Sequence, residues 1–390
     1  MVTSAQSPSV APRLPKFYCP LPEVIHPGGD EADAHTVSWL DQFGLYSDPV
    51  QRNRMASTRC GRLAAFMAPL CPSQDLLNVF ADFCTWAFAF DDEFCDEGPM
   101  RFKPGEQADA FSRMHRAMEI PEYPVDPDDR YAMALRDIRI RLDAFASPVQ
   151  GDRFTEWMRN YFMIELRKSG NAARSIRPDL NSYAVARLYG GGGMVFPRLP
   201  AAFEHLTLPP AVQARRDVHA LTEMAATIVC WDTDFFACVK ERERTGDGNN
   251  LIDVVSAQYG LPLDEAMVTA TALRDRVMVL YLKLGRKIRA EGDPPLQRYC
   301  LLLDHYIRGS LAWDIEAAAF PRYLRSDGAV PVTFTGFADV PSDTDPTPLP
   351  VESIAWWWRY DPVRRYDPVR AEGGTGPGES DEGLATVDGQ

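Results

Sequence analysis

Five acidic residues stand within seven positions at the end of a long apolar run. The run from Leu76 to Phe90 carries large apolar residues every three or four positions, which predicts a buried helix. After it come Asp91, Asp92 and the rest of the cluster, Phe90-Asp91-Asp92-Glu93-Phe94-Cys95-Asp96-Glu97. In an α-helix Asp91 and Cys95 share one face, and Asp92 and Asp96 share the next. Carboxylates there need a positive partner, and a pair of divalent cations such as magnesium is one interpretation. A solvated acidic helix end is the other.

A second set of polar residues lies in the helix predicted from His219 onward. Thr233, Ala237 and Glu241 are spaced to lie on one face, and Lys240 stands beside them. Arg187 precedes the glycine run 190–193 by three residues, and Arg322-Tyr323 follows Trp313. The glycines do not resemble a phosphate-binding loop, because no strand precedes them and no Lys-Ser or Lys-Thr follows. We expect them to break a helix.

Charge and composition limit the classes of partner. The formal net charge is −14, which argues against binding to nucleic acid or to an anionic membrane. A phosphate-bearing substrate would therefore have to be attracted by local cations. No run of about 18 apolar residues predicts a membrane span, and residues 1–15 do not resemble a signal peptide. The eight cysteines lack paired spacing, which predicts buried thiols in a reducing cytoplasm.

Helical periodicity dominates the chain and period-two alternation is nearly absent, so we predict an all-α fold. Residues 1–30 are predicted to be irregular, and residues 31–325 to form a single helical domain. Residues 326–390 are predicted to be a linker rich in Pro and Asp, followed by a largely disordered tail rich in Trp and Arg. Two features of the tail are unusual: three adjacent tryptophans, Trp356 to Trp358, and a direct duplication of the sequence RYDPVR. The tryptophans predict docking on the main domain or on a partner. We expect the tail to be dispensable for chemistry.

Taken together, these motifs resemble those of the bacterial class I terpene synthases. The acidic cluster at Asp91 is similar to the longer variant of that family's aspartate-rich motif. The segment from Thr233 to Glu241, followed by Gly246-Asp247 and Asn250-Leu251, fits the frame of its second metal motif. Arg187 with Gly190 and Gly191 resembles the family's diphosphate-sensing break, and Arg322-Tyr323 resembles its terminal Arg-Tyr pair. The resemblance covers residues 17 to 325.

The resemblance implies a site for three magnesium ions and a linear isoprenyl diphosphate. Asp91 is expected to be the principal ligand of the first metal pair. Asp92 and Asp96 are expected to be supporting or alternate ligands, with Asp92 pairing with an arginine, and Thr233 and Glu241 to hold the third ion. Four residues would bind the diphosphate, together with the glycines Gly190 and Gly191: Arg187, Lys240, Arg322 and Tyr323. The aromatic candidates for the cavity wall are Phe88, Phe90, Trp313 and Tyr183.

The sequence departs from the family at the second metal motif. Where the family offers an amide, a hydroxyl and a carboxylate, this chain offers Thr233, Ala237 and Glu241. Ala237 has no ligand atom. Either water replaces the missing oxygens, which magnesium tolerates and which we favour because Arg187, Lys240 and Glu241 are retained, or metal binding is impaired.

The implied activity is that of a terpene cyclase, a carbon–oxygen lyase that ionises the diphosphate and cyclises the resulting carbocation. The small residue Ala87 stands one turn before Asp91, with Ala89 nearby, and this favours geranylgeranyl over farnesyl diphosphate as substrate. The alternatives are a non-catalytic or weakly active isoprenoid-binding protein and a chain-elongating prenyltransferase, although the latter would need a second aspartate-rich motif. A homodimer is also left open.

Overall fold

The computed structural model describes residues 11–96, 98–246, 248–325 and 328–363. Within these residues the regular elements are helices, and no strand forms beyond two isolated β-bridges, which confirms the all-α prediction. No helix of the described residues has both the length and the apolar character that crossing a bilayer requires. The α-helices are α1 (Gly29–Phe43), α2 (Pro49–Ala56), α3 (Cys60–Met67), α4 (Gln74–Phe90), α5 (Pro104–Glu119), α6 (Arg130–Asp143), α7 (Pro148–Ala173), α8 (Leu180–Tyr189), α9 (Leu199–Phe203), α10 (Pro210–Gln213), α11 (Arg216–Arg244), α12 (Leu251–Tyr259), α13 (Leu263–Glu291), α14 (Pro294–Ala317) and α15 (Glu352–Ala355).

Helices α4 and α11 are largely buried, as their apolar periodicity predicts. Ser73 caps α4 by accepting a hydrogen bond from the Leu76 N–H, and Trp86 stacks on Phe90 with ring centroids 4.8 Å apart. Helix α3 packs against α1, α4 and α14, and α11 packs against α13 and α14. These contacts fix the ends of α4 and α11 around a common interior.

Helix α4 does not continue as a regular α-helix through the acidic cluster. Residues Asp91–Asp96 form a π-helical turn, in which hydrogen bonds span five residues instead of four. Positions five apart therefore come together, so Asp91 is brought near Asp96. This corrects the expectation that Asp92 and Asp96 share a face. Glu97, the last acid of the cluster, lies outside the described residues.

The N-terminal segment runs beside residues 333–338. The Leu14 N–H donates to the Thr333 carbonyl and the Thr333 N–H donates to the Pro12 carbonyl, both at 2.9 Å. Phe17 is fully buried, and its ring lies 4.9 Å from that of Phe235 in α11. The irregular N-terminal segment is thus part of the core behind α11.

The tryptophan block docks on the main domain. Trp357 is fully buried, and its indole Nε1 donates to Glu223 Oε2 of α11 at 2.7 Å. Trp356 stacks on His219, and the backbone N–H of Ser353 donates to the Asn181 side chain at the start of α8. The backbone of residues 328–363 is mostly irregular, as predicted, but this segment packs against the helices, so the expectation of a linker and disordered tail is wrong for it. Residues 364–390, with the second copy of the duplication, lie outside the described residues, as do residues 1–10.

Candidate active site

One cavity lies between α4, α7, α11 and α14, and it holds about 1200 Å³ of empty space including its opening to solvent. Asp91 and Asp96 line it on one side, and Thr233, Ala237 and Glu241 line it on another. The two motifs therefore line the same, largely apolar cavity. This is the arrangement on which the sequence-based interpretation depends.

Asp91 and Asp96 have different electrostatic surroundings. Lys168 of α7 donates to Asp96 Oδ1 at 2.6 Å, and although burial opposes ionisation, Lys168 and Lys240 hold the pKa of Asp96 below its usual value. Asp91 has no such ion pair among the described residues. Burial and the nearby Asp96 carboxylate raise the pKa of Asp91 well above its usual value. Asp91 is therefore the member of the cluster whose ionised form most needs an added cation.

Asp92 points away from this site. It is buried and does not line the cavity, and its two carboxylate oxygens lie 3.2 Å from Arg54 Nη2 and 2.7 Å from Arg322 Nη1. The expected ion pair with an arginine is thus present, and the expectation that Asp92 also serves as a metal ligand is not met. The π-helical turn explains the difference, because it separates Asp92 from the face that carries Asp91 and Asp96.

A carboxylate that the sequence analysis missed approaches Asp91. Ligand atoms of Asp91, Cys95 and Glu165 lie within 4.8 Å of one another. Burial raises the pKa of the Cys95 thiol well above its usual value, so Cys95 stays protonated and Glu165 is the more suitable oxygen donor. Glu165 lies on α7 one turn before Lys168, whose Nζ is 3.6 Å from its Oε2.

Arg187 is held at the cavity by the middle of α11. Its Nη2 donates to Asp234 Oδ1 at 2.6 Å and to the Cys230 carbonyl at 3.2 Å, while Tyr183 and the Leu251 N–H hydrogen bond to Asp234 Oδ2. Asp234 thereby connects α8, α11 and α12. Among the described residues, the buried Arg187 Nε has no hydrogen-bond acceptor. That unused donor suits an anion that enters the cavity.

Helix α8 ends at Tyr189, and the glycine run that follows forms a short 3₁₀ turn over Gly190–Gly192. Gly191 lines the cavity with φ of 61°, and a Cβ atom added to it would lie 2.6 Å from Arg187 Nη1. Only glycine combines this backbone conformation with such a close approach. Gly190 does not line the cavity. The prediction that both glycines contact substrate is therefore supported in position for Gly191 alone.

Thr233, Ala237 and Glu241 all line the cavity, as their spacing predicts. Glu241 Oε2 accepts a hydrogen bond from the Asn250 amide at 2.8 Å. Burial, followed by the proximity of Asp234, raises the pKa of Glu241 to about 7 despite the opposing charge of Lys240. The methyl of Ala237 leaves the middle of this face without a ligand atom.

The remaining predicted residues also converge on the cavity. Phe88 and Trp313 stack at 5.4 Å, and the Arg322 guanidinium lies 4.7 Å above the Phe88 ring. Lys240 Nζ lies 5.4 Å from the Tyr323 ring centroid. Two candidates for the cavity wall were wrong. Phe90 packs in the core against other rings of α4 and α7, and Tyr183 is buried against Asp234 instead of facing the cavity.

Several other residues that line the cavity come from distant parts of the chain and were not predicted from the sequence, namely Tyr161, Lys168, Phe196, Tyr306 and Asp314. Asp314 is the only one with a visible sequence signal: it is an acid within a strongly apolar stretch of α14, directly after Trp313. Nothing in the local pattern distinguishes the others from ordinary core or surface residues.

The donor set fits divalent cations. The cavity presents carboxylate and hydroxyl oxygens, which hard ions prefer, and Asp91 forms no direct ion pair with a described residue, although Lys168 and Arg322 are close enough to favour its charged form. Asp91 and Asp96, with Glu165 nearby, could hold cations on one side of the cavity. Thr233 and Glu241 could hold a cation on the other side.

The chain is similar to known proteins over most of its length. Residues 82–278 match a family model described as terpene synthase family 2, C-terminal metal binding. A (+)-(1(10)E,4E,6S,7R)-germacradien-6-ol synthase of Streptomyces pratensis is 33% identical over 90% of this chain and 98% of its own length. Spiroviolene synthase of Streptomyces violens is 32% identical over 88% of this chain and 96% of its own length. A crystal structure of SVS_A2, a protein from ancestral sequence reconstruction, is 32% identical and superimposes with a TM-score of 0.78 over 88% of this chain and 98% of that one.

Proposed function

The chain belongs to the terpene synthase family, whose members are lyases, and from that premise we propose that it is a magnesium-dependent class I cyclase of linear isoprenyl diphosphates. The supporting observation is that Asp91 and Glu241, at the ends of two different helices, line one apolar cavity together with Arg187 and Lys240. The reaction breaks the bond between C1 and the diphosphate oxygen, and pyrophosphate leaves with the electron pair. The π electrons of the chain then close one or more rings. The final cation loses a proton to give a hydrocarbon, or adds water and then loses a proton to give an alcohol.

Asp91 and Asp96 are proposed to hold two magnesium ions, and Thr233 and Glu241 a third. When bound, these ions supply positive charge to the diphosphate. Asp92 has a different proposed role. Its carboxylate orients Arg322, to which it is paired at 2.7 Å, so that the guanidinium stays beside the cavity.

Four residues are proposed to bind the diphosphate: Arg187, Lys240, Arg322 and Tyr323. Arg187 and Arg322 each have a buried Nε without an acceptor among the described residues, so each retains an N–H donor for an anion. Positive charge at the oxygen of the breaking bond stabilises the leaving group more in the transition state than in the substrate. Gly191 is proposed to permit the close approach of the Arg187 guanidinium to the turn that follows α8.

The apolar wall is proposed to protect the carbocation. Phe88 and Trp313 present stacked rings to the cavity, and aromatic faces stabilise cations without reacting with them. Exclusion of water prevents early quenching. We infer that these two rings contact the hydrocarbon chain and not the diphosphate.

We propose geranylgeranyl diphosphate as the preferred substrate and farnesyl diphosphate as the second candidate. Ala87 lines the cavity one turn before Asp91, and its small side chain leaves room for a longer chain. The second candidate is favoured by a relative 29% identical to this chain, the (+)-T-muurolol synthase of Streptomyces clavuligerus, whose name specifies cyclisation of (2E,6E)-farnesyl diphosphate. Substitution of Ala87 by Phe should raise the ratio of farnesyl to geranylgeranyl turnover if this position limits chain length.

The test is an incubation of the purified protein with geranyl, farnesyl and geranylgeranyl diphosphates, with magnesium and with or without isopentenyl diphosphate. Released pyrophosphate together with a cyclic hydrocarbon or alcohol supports the cyclase. A longer diphosphate would instead indicate a chain-elongating enzyme, and binding without turnover an isoprenoid-binding protein. Asp91→Asn should abolish turnover, whereas the matched control Asp75→Asn, at the exposed start of the same helix, should not. Light scattering on the same sample tests the homodimer.

A further inference from the structure

The acids that line the cavity differ in whether a cation already neutralises them. Asp96 pairs with Lys168 at 2.6 Å, and Asp234 pairs with Arg187 at 2.6 Å. Asp314, which the motifs do not include, has no ion pair among the described residues although it is almost completely buried. An isolated buried carboxylate is costly unless a positive group meets it.

The two oxygens of Asp314 are in different situations. Oδ2 lies 3.1 Å from the Thr233 hydroxyl, across the contact between α14 and α11, and shares the single proton of that hydroxyl with the Val229 carbonyl, which is also 3.1 Å away. Oδ1 is buried and has no hydrogen-bond partner within the described part of the chain. Since Asp314 lines the cavity, this unused oxygen is available to a ligand that the protein alone does not provide.

The position of Asp314 coincides with the gap in the second metal motif. Thr233 offers one short hydroxyl, Ala237 offers no ligand atom, and Glu241 stands two turns beyond Thr233 on the same face of α11. Asp314 places a carboxylate beside Thr233, although the two residues are 81 positions apart in the sequence. A hard divalent cation favours a carboxylate oxygen over the amide oxygen that is absent here.

We propose that Asp314 is a metal ligand that replaces the oxygens missing at positions 233 and 237, and that it holds the third divalent cation together with Thr233 and Glu241. The inference rests on the proposed function, because it places a residue of α14 in the same metal centre. It replaces the simpler expectation that water alone compensates for Thr233 and Ala237.

The test measures metal binding separately from turnover. Mn²⁺, whose binding is measured by electron paramagnetic resonance, is titrated into the full-length protein in the presence of inorganic pyrophosphate. Asp314→Ala, which removes the ligand atom altogether, should bind one ion fewer, or bind the weakest ion at least about tenfold less tightly. The matched control is Glu316→Gln, which removes a carboxylate from the same helix that pairs with Arg62 and does not line the cavity; its binding should match that of the wild type.

A rescue experiment separates replacement of the missing oxygens from general damage to the cavity. Thr233→Asn and Ala237→Ser, added to Asp314→Ala, should restore the lost ion, because they return the amide and hydroxyl oxygens that Asp314 replaces. Unchanged Mn²⁺ binding by Asp314→Ala, or failure of the rescue in a folded protein, would overturn the inference while leaving the cyclase intact. Absence of both Mn²⁺ binding and turnover in the wild type would instead refute the proposed function.

Discussion

Replacement of Trp357 by phenylalanine tests whether the C-terminal segment is part of the folded domain. The indole is fully buried, and its N–H donates to Glu223 Oε2 of α11 at 2.7 Å. Phenylalanine removes that donor and leaves a buried carboxylate oxygen unsatisfied, at a cost of about 1–3 kcal/mol. The smaller ring leaves a gap that adds roughly 1 kcal/mol. We therefore expect the free energy of unfolding to fall by roughly 2–4 kcal/mol, which is a large part of a typical protein's stability of about 5–15 kcal/mol.

The measurement is equilibrium unfolding in urea followed by circular dichroism at 222 nm, a signal that does not depend on tryptophan fluorescence. Trp356→Phe is the matched control, because Trp356 is only half-buried and stacks on His219 and Arg216. A phenyl ring keeps a weaker cation–π contact with Arg216, so this change should cost less than about 1 kcal/mol. Equal unfolding midpoints for the two variants would refute the docking of Trp357, and the segment would then be the dispensable tail that its composition predicts.

Three further predictions concern the cavity. The pKa of Glu241, raised to about 7, implies that a proton competes with the cation below pH 7, so Mn²⁺ affinity in the presence of pyrophosphate should fall by up to about tenfold per pH unit there. Glu241→Gln should bind more weakly and with a shallower pH dependence, because a proton on Glu241 no longer competes, and a parallel pH profile would contradict the assignment. Gly191→Ala should reduce turnover at least about tenfold, because a Cβ atom 2.6 Å from Arg187 Nη1 displaces the guanidinium; unchanged kinetics would exclude this contact from the site. Lys168→Met removes the cation that faces Asp96, so the pKa of Asp96 should rise and the magnesium requirement for turnover should increase, whereas a lower requirement would show that Lys168 competes with the metal.

The sequence determined the elements that depend on local periodicity. An α-helix has 3.6 residues per turn. This period alone predicts the buried face of α4 and the face shared by Thr233, Ala237 and Glu241. The order of the motifs was sufficient to indicate the family, because the helices that carry Asp91 and Glu241 were themselves predictable from their periodicity.

The tertiary structure decided which acids have partners. The π-helical turn brings Asp91 to Asp96 and directs Asp92 to Arg322, a rearrangement that helical spacing alone does not predict. Asp314 reaches Thr233 across 81 positions, and Lys168 reaches Asp96 across 72, so no local pattern could reveal either contact. The docking of Trp357 on Glu223 has the same origin, since a segment rich in Pro and Asp appears disordered until its distant partner is known. Periodicity is a property of neighbouring residues, whereas the charge and burial of a side chain are set by whatever the fold places opposite it.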